Sequence, residues 1–392
     1  MNKCPACRSF DIKEFYSIDN LPLLIFPVSS AYKNKIHSDK IDSFICNKCC
    51  HIFTKELSKD YADLIYGEYY KFYPYDDLET MNLYYRKPFE DFFASSFRKN
   101  FSSASQLELL EIGCSSGKQL EFFDQFNLNC NGIDPSPLNI PLNKRIISGF
   151  YQNFSFDKKY DIIVARFVLE HVNKLDFFLE KVYNDLSDNG VLYLQVPNIL
   201  EFTSNGIPSF LAHEHSQYFN EFSMAELAET NNFNLVSIEN QSIQSICVVF
   251  KKKNFESHKV EIKASKIDIY QTYLRNRVKQ KNSIDAFLSI KAKKLCFYGS
   301  GLMLAWMIYD SEVIDKLDFH VVFDDNLKLK GKYFPKSNFI VKPYSLKQAS
   351  SYETILLTLN PIYHKNIMSK LISDNYKGSV FALNNDSVVK LI

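Results

Sequence analysis

The sequence lacks an excess of either charge. Its 46 Lys and Arg residues balance 45 Asp and Glu residues, which leaves a formal net charge of +1. A protein that holds phosphate backbones or anionic lipid through its overall field needs a marked positive excess. Nucleic acid is therefore not an expected partner.

Long apolar runs, internal repeats and low-complexity tracts are also missing. No uninterrupted apolar stretch approaches the roughly 20 residues of a membrane span, and the first ten residues, MNKCPACRSF, have no apolar core of the kind that a secretory signal needs. We expect a soluble cytoplasmic protein without a membrane partner.

What is present is a globular composition, with 46% hydrophobic and 23% charged residues. At roughly 150 residues per domain, a chain of 392 residues is expected to form two or three domains. Composition and motifs predict three blocks: a metal-binding domain at residues 1–75, a first α/β domain at 76–255 and a second α/β domain at 256–392.

The nine cysteines should be mostly reduced thiols in a chain without an export signal. Two Cys-x-x-Cys pairs, Cys4/Cys7 and Cys46/Cys49, can direct four sulfurs to one tetrahedral zinc ion. A redox pair would instead need one such motif near a βαβ unit. A zinc ion bound by four cysteines has no open coordination position, so we expect it to stabilise the fold and not to take part in catalysis. Cys50 and His51 are alternative ligands, but we interpret Cys50 as a small buried hydrophobe and His51 as the start of the next strand.

Apolar runs alternate with helical patterns over the rest of the chain, which predicts an α/β fold with parallel sheets. The predicted strands of the first α/β domain are LELLEIG, CNGIDPS, KRIISG, DIIVARF, VLYLQVPN, NLVSIENQ and SICVVFKK. An amphipathic helix is predicted within 259–294, with Ile267, Tyr270, Tyr273, Leu274 and Val278 on its apolar face. The predicted strands that follow are LCFYGSG, FHVVFDD, FIVKP, YETILLTLN and a final short strand, SVFALNN.

A turn of small residues follows the first of these strands, in the pattern Glu111-x-Gly113-x-x-x-Gly117. The next strand ends at Asp134, whose carboxylate could accept both hydroxyls of a ribose. The turn is not a Walker A loop, because it is one residue short and has Gln119 where Mg²⁺ binding needs Ser or Thr. It also lacks the central glycine of a dinucleotide fingerprint.

This turn, the acid at Asp134 and the segment Phe167–Val172 together resemble class I methyltransferases that use S-adenosylmethionine. The resemblance implies a Rossmann-like core. It also implies a cofactor site formed by Glu111, Gly113, Cys114, Ser115, Gly117, Asp134, Pro135 and Arg166. We interpret Glu170 and His171 within that segment as a pair that packs or caps at the start of a helix.

The whole chain resembles the zinc-containing sugar C-methyltransferases, through the two cysteine pairs, the methyltransferase core, the segment His213-Glu214-His215-x-x-Tyr218-Phe219 and the final α/β block with Asp324-Asp325-Asn326. The resemblance implies three domains in this order and a small-molecule substrate, a nucleotide-linked keto-sugar bound between the second and third domains. This chain departs from the family in having Ala212 where a tyrosine usually precedes His-Glu-His. It also has Gly299-Ser300-Gly301 in place of an alanine-rich turn.

Methylation of a carbon next to a ketone first requires loss of a proton, which a histidine can accept. We predict that His215 is this base and that Glu214 either orients its imidazole or holds a sugar hydroxyl. A phenol could donate to the developing enolate, and the candidates are Tyr69, Tyr70, Tyr73 and Tyr75. Two alternatives for the His-Glu-His segment remain open: a loop that caps a helix beginning near Asn220, and an H-x-H metal site.

Three other functions are considered as alternatives to a sugar C-methyltransferase. Gly299-Ser300-Gly301 and the acids that end the next strand could begin an NAD-binding fold, although Leu304 is bulky where glycine or alanine is needed. An O- or N-methyltransferase would use the same cofactor site on another acceptor. A non-catalytic binding module is disfavoured by the intact Gly113, Gly117 and Asp134.

Overall fold

The computed structural model of the chain describes residues 3–69, 72, 86–94, 106–135, 144–204, 211–241, 245–253, 260, 262, 268–291, 294–309, 320–384 and 387–392. Its strands form three separate sheets of four, seven and six strands. Among the helices of these residues, none has both the length and the apolar character that a membrane span requires.

The strands are β1 (Ile12–Pro22), β2 (Ser38–Cys46), β3 (Ile52–Thr54), β4 (Leu107–Ile112), β5 (Leu128–Asp134), β6 (Ile146–Ser148), β7 (Tyr160–Arg166), β8 (Leu186–Pro197), β9 (Gln217–Tyr218), β10 (Phe233–Gln241), β11 (Ser245–Lys252), β12 (Leu295–Tyr298), β13 (His320–Phe323), β14 (Phe339–Lys342), β15 (Thr354–Leu357), β16 (Ser379–Asn384) and β17 (Ser387–Lys390). The α-helices are α1 (Lys59–Asp63), α2 (Lys87–Phe92), α3 (Lys118–Phe123), α4 (Leu175–Asp185), α5 (Ile199–Ser204), α6 (Glu221–Thr230), α7 (Ile269–Lys291), α8 (Leu302–Tyr309), α9 (Leu346–Ala349) and α10 (His364–Ser373).

The seven-stranded sheet has the order β6-β5-β4-β7-β8-β11-β10. Strands β4 to β8 pair in parallel, whereas β11 is antiparallel to both β8 and β10. The central strands β4, β7 and β8 are mostly apolar and largely buried, as is typical of parallel strands in a sheet covered on both faces. All seven predicted strands are present, and the α/β, Rossmann-like prediction is confirmed.

The six-stranded sheet has the order β14-β13-β12-β15-β16-β17. Its first five strands are parallel, and β17 pairs antiparallel with β16. The prediction that SVFALNN is the final strand is wrong, because Ser387–Lys390 turns back and forms one more strand at this edge.

Helix α7 confirms the predicted helix after the first α/β unit but not all of its apolar face. Tyr273 is fully buried, whereas Val278 is 60% exposed. Five residues of α-helix advance about 140° around the axis, so Val278 faces away from Tyr273. Further along, Ile284, Phe287 and Leu288 supply the buried contacts instead.

The N-terminal block contacts both α/β units. Its β3 pairs antiparallel with β9, a strand from the middle of the chain, with Ile52 opposite Tyr218. On its other side, Val28 forms a bridge with Tyr333, and the Lys336 N–H donates to the Lys33 carbonyl at 2.7 Å. The predicted domain boundaries at 75/76 and 255/256 lie outside the described residues and stay predictions.

Asn220 joins the N-terminal block to α6, and its replacement tests this junction. Its side chain accepts the Ser223 N–H at 3.0 Å as the helix cap and donates to the Cys50 carbonyl at 2.7 Å. We expect Asn220→Ala to lower the free energy of unfolding by about 2–3 kcal/mol, since it removes a cap and leaves a carbonyl without its donor. Calorimetry measures the loss.

Two further variants separate these roles. Asn220→Ser keeps the capping oxygen but not the amide donor, so its loss should be intermediate. Asn231→Ala removes an amide that donates to the Leu227 carbonyl at the other end of α6, where the side chain is half-buried and the loss should be smaller. A serine variant as unstable as the alanine variant would contradict the capping role.

Candidate functional site

The glycine turn after β4 has a backbone that suits glycine. Gly113 and Gly117 have φ angles of +74° and +76°, and the Gly113 N–H donates to the Ile133 carbonyl at 2.8 Å. A Cβ atom on Gly113 would lie 2.4 Å from Cγ2 of Val168. The turn is therefore packed directly against the segment Phe167–Val172.

The acid that ends β5 closes the other side of the turn. Asp134 is 6% exposed, and its Oδ2 accepts the Ser115 N–H at 2.8 Å. Pro135 follows on the surface. The predicted residues Gly113, Ser115, Gly117 and Asp134 are thus brought together at the carboxyl edge of the sheet.

Cys114 points into the sheet. Its side chain packs on Gly132, where an added Cβ would lie 2.4 Å from the Cys114 Sγ, and burial raises the pKa of this thiol above its ordinary value. Only the backbone of Cys114 can face a ligand at the turn. Gly132 is a residue that the sequence analysis missed, although its place next to Ile133 and Asp134 could have indicated it.

Glu111 and Arg166 form a buried ion pair between neighbouring strands. Their side chains are 4% and 1% exposed, and the guanidinium lies 5.1 Å from the centre of the Phe123 ring. Oε2 of Glu111 has no hydrogen-bond partner among the described residues. The pair fixes the ends of β4 and β7, and its burial limits contact with a ligand.

A histidine cluster adjoins this turn. His171 lies in a short 3₁₀ turn at Leu169–His171, and its ring centre is 4.6 Å from that of His215. Three residues each offer one possible metal-ligand atom, and these three atoms lie within 4.8 Å of one another: Glu170, His171 and His215. The sequence predicts His171 as a packing or capping residue, and its contact with His215 is a further feature of the structure.

Hydrogen bonds set the protonation of His171. Its Nδ1 lies 2.9 Å from the Glu214 carbonyl oxygen and 3.2 Å from the Tyr66 hydroxyl. A carbonyl only accepts, so Nδ1 carries the proton and Nε2 keeps its lone pair. Tyr66 is the phenol in contact here; Tyr69 is buried elsewhere, and Tyr70, Tyr73 and Tyr75 lie outside the described residues.

Burial sets the charge of the cluster. It lowers the pKa of His171 to about 4 and holds that of His215 well below its usual value, with a smaller contribution from the neighbouring His171. Burial also raises the pKa of the Glu170 carboxyl to about 8. At neutral pH both imidazoles are therefore neutral, with one ring nitrogen each that keeps its lone pair, and the Glu170 carboxyl carries its proton.

The His-Glu-His segment is held by the N-terminal block. His213 Nε2 lies 3.0 Å from the Leu21 carbonyl, and the Thr54 hydroxyl donates to the His215 carbonyl at 3.3 Å. The Glu214 side chain is largely buried. Helix α6 is capped by Asn220, with Ser223 completing the capping box, so the segment does not cap that helix.

The four predicted cysteines meet in one buried cluster. The Sγ atoms of Cys4 and Cys49 are 3.7 Å apart, those of Cys7 and Cys46 are 3.5 Å apart, and all four lie within 4.8 Å. They are free thiols. This arrangement could hold a metal ion.

Each cysteine pair is closed by a residue in the left-handed region. Arg8 and Cys50 have φ angles of +58° and +57°, and their N–H groups donate to the carbonyls of Cys4 and Cys46. Cys50 is half-buried and turns the chain. His51 directly precedes β3, and its Nε2 lies 2.9 Å from Gln217 Oε1.

The turn in the six-stranded sheet is filled by its own groups. Asp324 accepts the Ser300 N–H and hydroxyl at 2.9 and 2.6 Å, and the Asn326 N–H at 2.9 Å. A Cβ atom on Gly299 would lie 2.7 Å from Cβ of Leu359. The carboxylate that a dinucleotide ribose would need is already hydrogen-bonded.

Comparison with known proteins matches residues 79–238 to a family described as "Methyltransferase domain". A ubiquinone biosynthesis O-methyltransferase of Pelagibacter ubique (strain HTCC1062) is 23% identical over 47% of this chain and 85% of its own length. C-methyltransferase NovU of Streptomyces niveus is 24% identical, covering 39% of each protein. A solved 1,6-didemethyltoxoflavin-N1-methyltransferase of Burkholderia thailandensis, with bound S-adenosylhomocysteine, covers 52% of this chain and 96% of its own at 14% identity and a TM-score of 0.40.

The chain is therefore an enzyme, an S-adenosylmethionine-dependent methyltransferase whose methyltransferase domain includes β4 to β8. The turn fits that cofactor. Two glycines with positive φ let a ligand approach the backbone, and Asp134 lies at the end of the adjacent strand.

Gly113→Ala tests the turn. The φ angle of +74° strains alanine by about 1–3 kcal/mol, and the new methyl group collides with Val168. We expect S-adenosylmethionine to bind at least about tenfold more weakly by calorimetry, since each 1.4 kcal/mol is tenfold in affinity.

Adding Val168→Ala should recover part of this affinity because it removes the colliding Cγ2 atom. Gly67→Ala is the matched control, since an added Cβ there meets no atom within 4 Å. Unchanged affinity in Gly113→Ala would rule out this turn as the cofactor site.

Proposed function

We propose that this enzyme methylates a sugar carried on a nucleotide, at a carbon next to a keto group. The observation that supports this best is a pair of neutral imidazoles at a turn that fits the methyl donor. An acceptor carbon becomes nucleophilic only after it loses a proton, and a half-buried histidine such as His215 can take that proton. The whole-chain resemblance and the similarity to NovU, a C-methyltransferase by name, support carbon as the acceptor and a sugar as its carrier.

When bound, S-adenosylmethionine supplies a methyl group on a sulfonium, which needs little more than alignment with its acceptor. The backbone from Gly113 to Gly117, with Cys114 and Ser115 between, would hold the amino-acid part of the cofactor. Asp134 and Pro135 would hold its ribose. Glu111 and Arg166 would position the turn through their buried ion pair.

His215 takes the proton from the substrate carbon in this proposal, and His171 lies beside it. Glu214 contributes its backbone carbonyl, which orients His171, and its carboxylate remains a candidate for a sugar hydroxyl. His213 is a positioning residue, because its ring is engaged with the N-terminal block.

Methyl transfer to oxygen is the alternative. The Pelagibacter relative is an O-methyltransferase by name and is matched over most of its length. A hydroxyl acceptor also gives up a proton during transfer, so the same histidine would serve it.

We also propose that Cys4, Cys7, Cys46 and Cys49 bind a structural zinc ion. Four buried thiols at tetrahedral spacing leave no coordination position for a substrate. Since Cys46 ends β2 and Cys49 precedes β3, the ion would hold in place the strand that pairs with β9.

The first test incubates the enzyme with labelled S-adenosylmethionine and a panel of nucleotide sugars that includes 4-keto forms. We expect label on carbon. His215→Asn should lower kcat by about 10²–10⁴-fold, the usual contribution of a general base, and leave cofactor affinity unchanged. Label on oxygen would favour the alternative, and cofactor binding without a labelled sugar would contradict the proposal.

A second readout isolates the base. With S-adenosylhomocysteine in place of the methyl donor and D₂O as solvent, the wild-type enzyme should exchange the proton next to the ketone, whereas His215→Asn should not. His213→Gln, two residues away, should retain this exchange. Equal exchange in His215→Asn would show that another group is the base.

The zinc proposal has its own test. The wild-type enzyme should contain one zinc ion per chain. Cys46→Ser should contain less zinc and should have a lower melting temperature. Hydrogen exchange should quicken at Gln217 and Tyr218, because β9 loses the support of β3. Cys130→Ser, at a buried cysteine outside the cluster, should keep the ion. Full zinc content in Cys46→Ser would contradict this assignment.

A further inference from the structure

We infer that Glu170, His171 and His215 form a second cation site, separate from the four cysteines, which takes a divalent transition-metal ion such as Zn²⁺ or Co²⁺. We further propose that an ion bound there inhibits methyl transfer by occupying the nitrogen lone pair of His215. The inhibition rests on the proposed role of His215, whereas the binding of the ion does not.

The donor set fits such an ion. Two imidazole nitrogens and one carboxylate oxygen are ligands typical of divalent transition metals, and here they lie within 4.8 Å of one another. Metal–ligand bonds of about 2.1 Å in tetrahedral geometry place any two ligand atoms about 3.4 Å apart. The three atoms would therefore move closer together by up to about 1.4 Å when an ion binds.

The tautomer of His171 prepares it as a ligand. Its Nδ1–H donates to the Glu214 carbonyl at 2.9 Å, which leaves the Nε2 lone pair for a metal ion. A backbone carbonyl on the far nitrogen is the usual support of a metal-binding histidine, because it fixes both the tautomer and the direction of the ring.

Glu170 gives an independent reason to expect a cation. It is 2% exposed, and its Oε2 has no hydrogen-bond partner among the described residues. A buried carboxyl oxygen without a partner is costly, and coordination of an ion, with loss of the carboxyl proton to solvent, is one of the few ways to relieve that cost.

Proton transfer and metal binding use the same atom. A nitrogen coordinated to a metal ion has no lone pair left for a substrate proton, so a filled site cannot use His215 as a base. Three protein ligands leave at least one coordination position open to water, which makes the ion removable by a chelator.

Cobalt titration of the zinc-loaded enzyme tests the site. We expect one additional Co²⁺ per chain by elemental analysis, with a weak visible spectrum typical of nitrogen and oxygen ligands. Charge-transfer bands from thiolates should be absent, which distinguishes this ion from one at the cysteines. The methyl-transfer rate should fall in proportion to the extra ion and return after EDTA.

Glu170→Gln and His171→Gln should lose the additional Co²⁺. His213→Gln should bind it as the wild type does, because that ring contacts the Leu21 carbonyl. The inference is overturned if no additional ion binds, if both cluster variants bind it unchanged, or if the rate rises with occupancy. Binding of the ion to an enzyme that methylates no nucleotide sugar would support the site and count against the proposed function alone.

Discussion

The pairing of β3 with β9 is the contact on which the arrangement of this enzyme depends. Two residue pairs, Ile52 with Tyr218 and Phe53 with Gln217, attach a strand from the middle of the chain to the N-terminal sheet. The His-Glu-His segment immediately precedes that strand. It belongs to the methyltransferase part of the sequence, but its position is set by a sheet whose other strands flank the cysteine cluster. The packing around the cysteine cluster can therefore influence where His215 lies.

The two α/β units share one hydrogen bond at the turn after their first strand, but the acid that accepts it has different further partners in each unit. After the first strand of each unit, a serine N–H donates to the acid that ends the next strand: Ser115 to Asp134, and Ser300 to Asp324. In the second unit the same acid also accepts the serine hydroxyl and the Asn326 N–H, and Leu359 fills the space at Gly299. The Asp324 carboxylate therefore already accepts three hydrogen bonds from its own chain, which leaves less of it for the ribose hydroxyls of a cofactor.

Features with a local cause could be predicted from the sequence. Buried parallel strands are continuous apolar runs, and the spacing of two Cys-x-x-Cys pairs predicts that four thiols meet, as Cys4, Cys7, Cys46 and Cys49 do. The contact between His171 and His215 could not, because 43 residues separate them and no periodicity links the two segments. Strand β9 is two residues long, too short for any alternating pattern. The prediction for Val278 was wrong because five residues after Tyr273 the helix has advanced about 140°, which places Val278 on another face.

His213 and His215 show how a short motif can mislead. In an extended strand, residues two apart project to the same side, so an H-x-H pair suggests two ligands of one ion. Here the His215 N–H donates to the Ala212 carbonyl, which makes the segment a turn and separates the rings. One histidine contacts the Leu21 carbonyl, and the other contacts His171. The turn thus directs the first histidine to the N-terminal block and the second to Glu170 and His171. Two histidines of one short motif therefore have different surroundings, because the backbone turns between them and the N-terminal block holds each end of the turn.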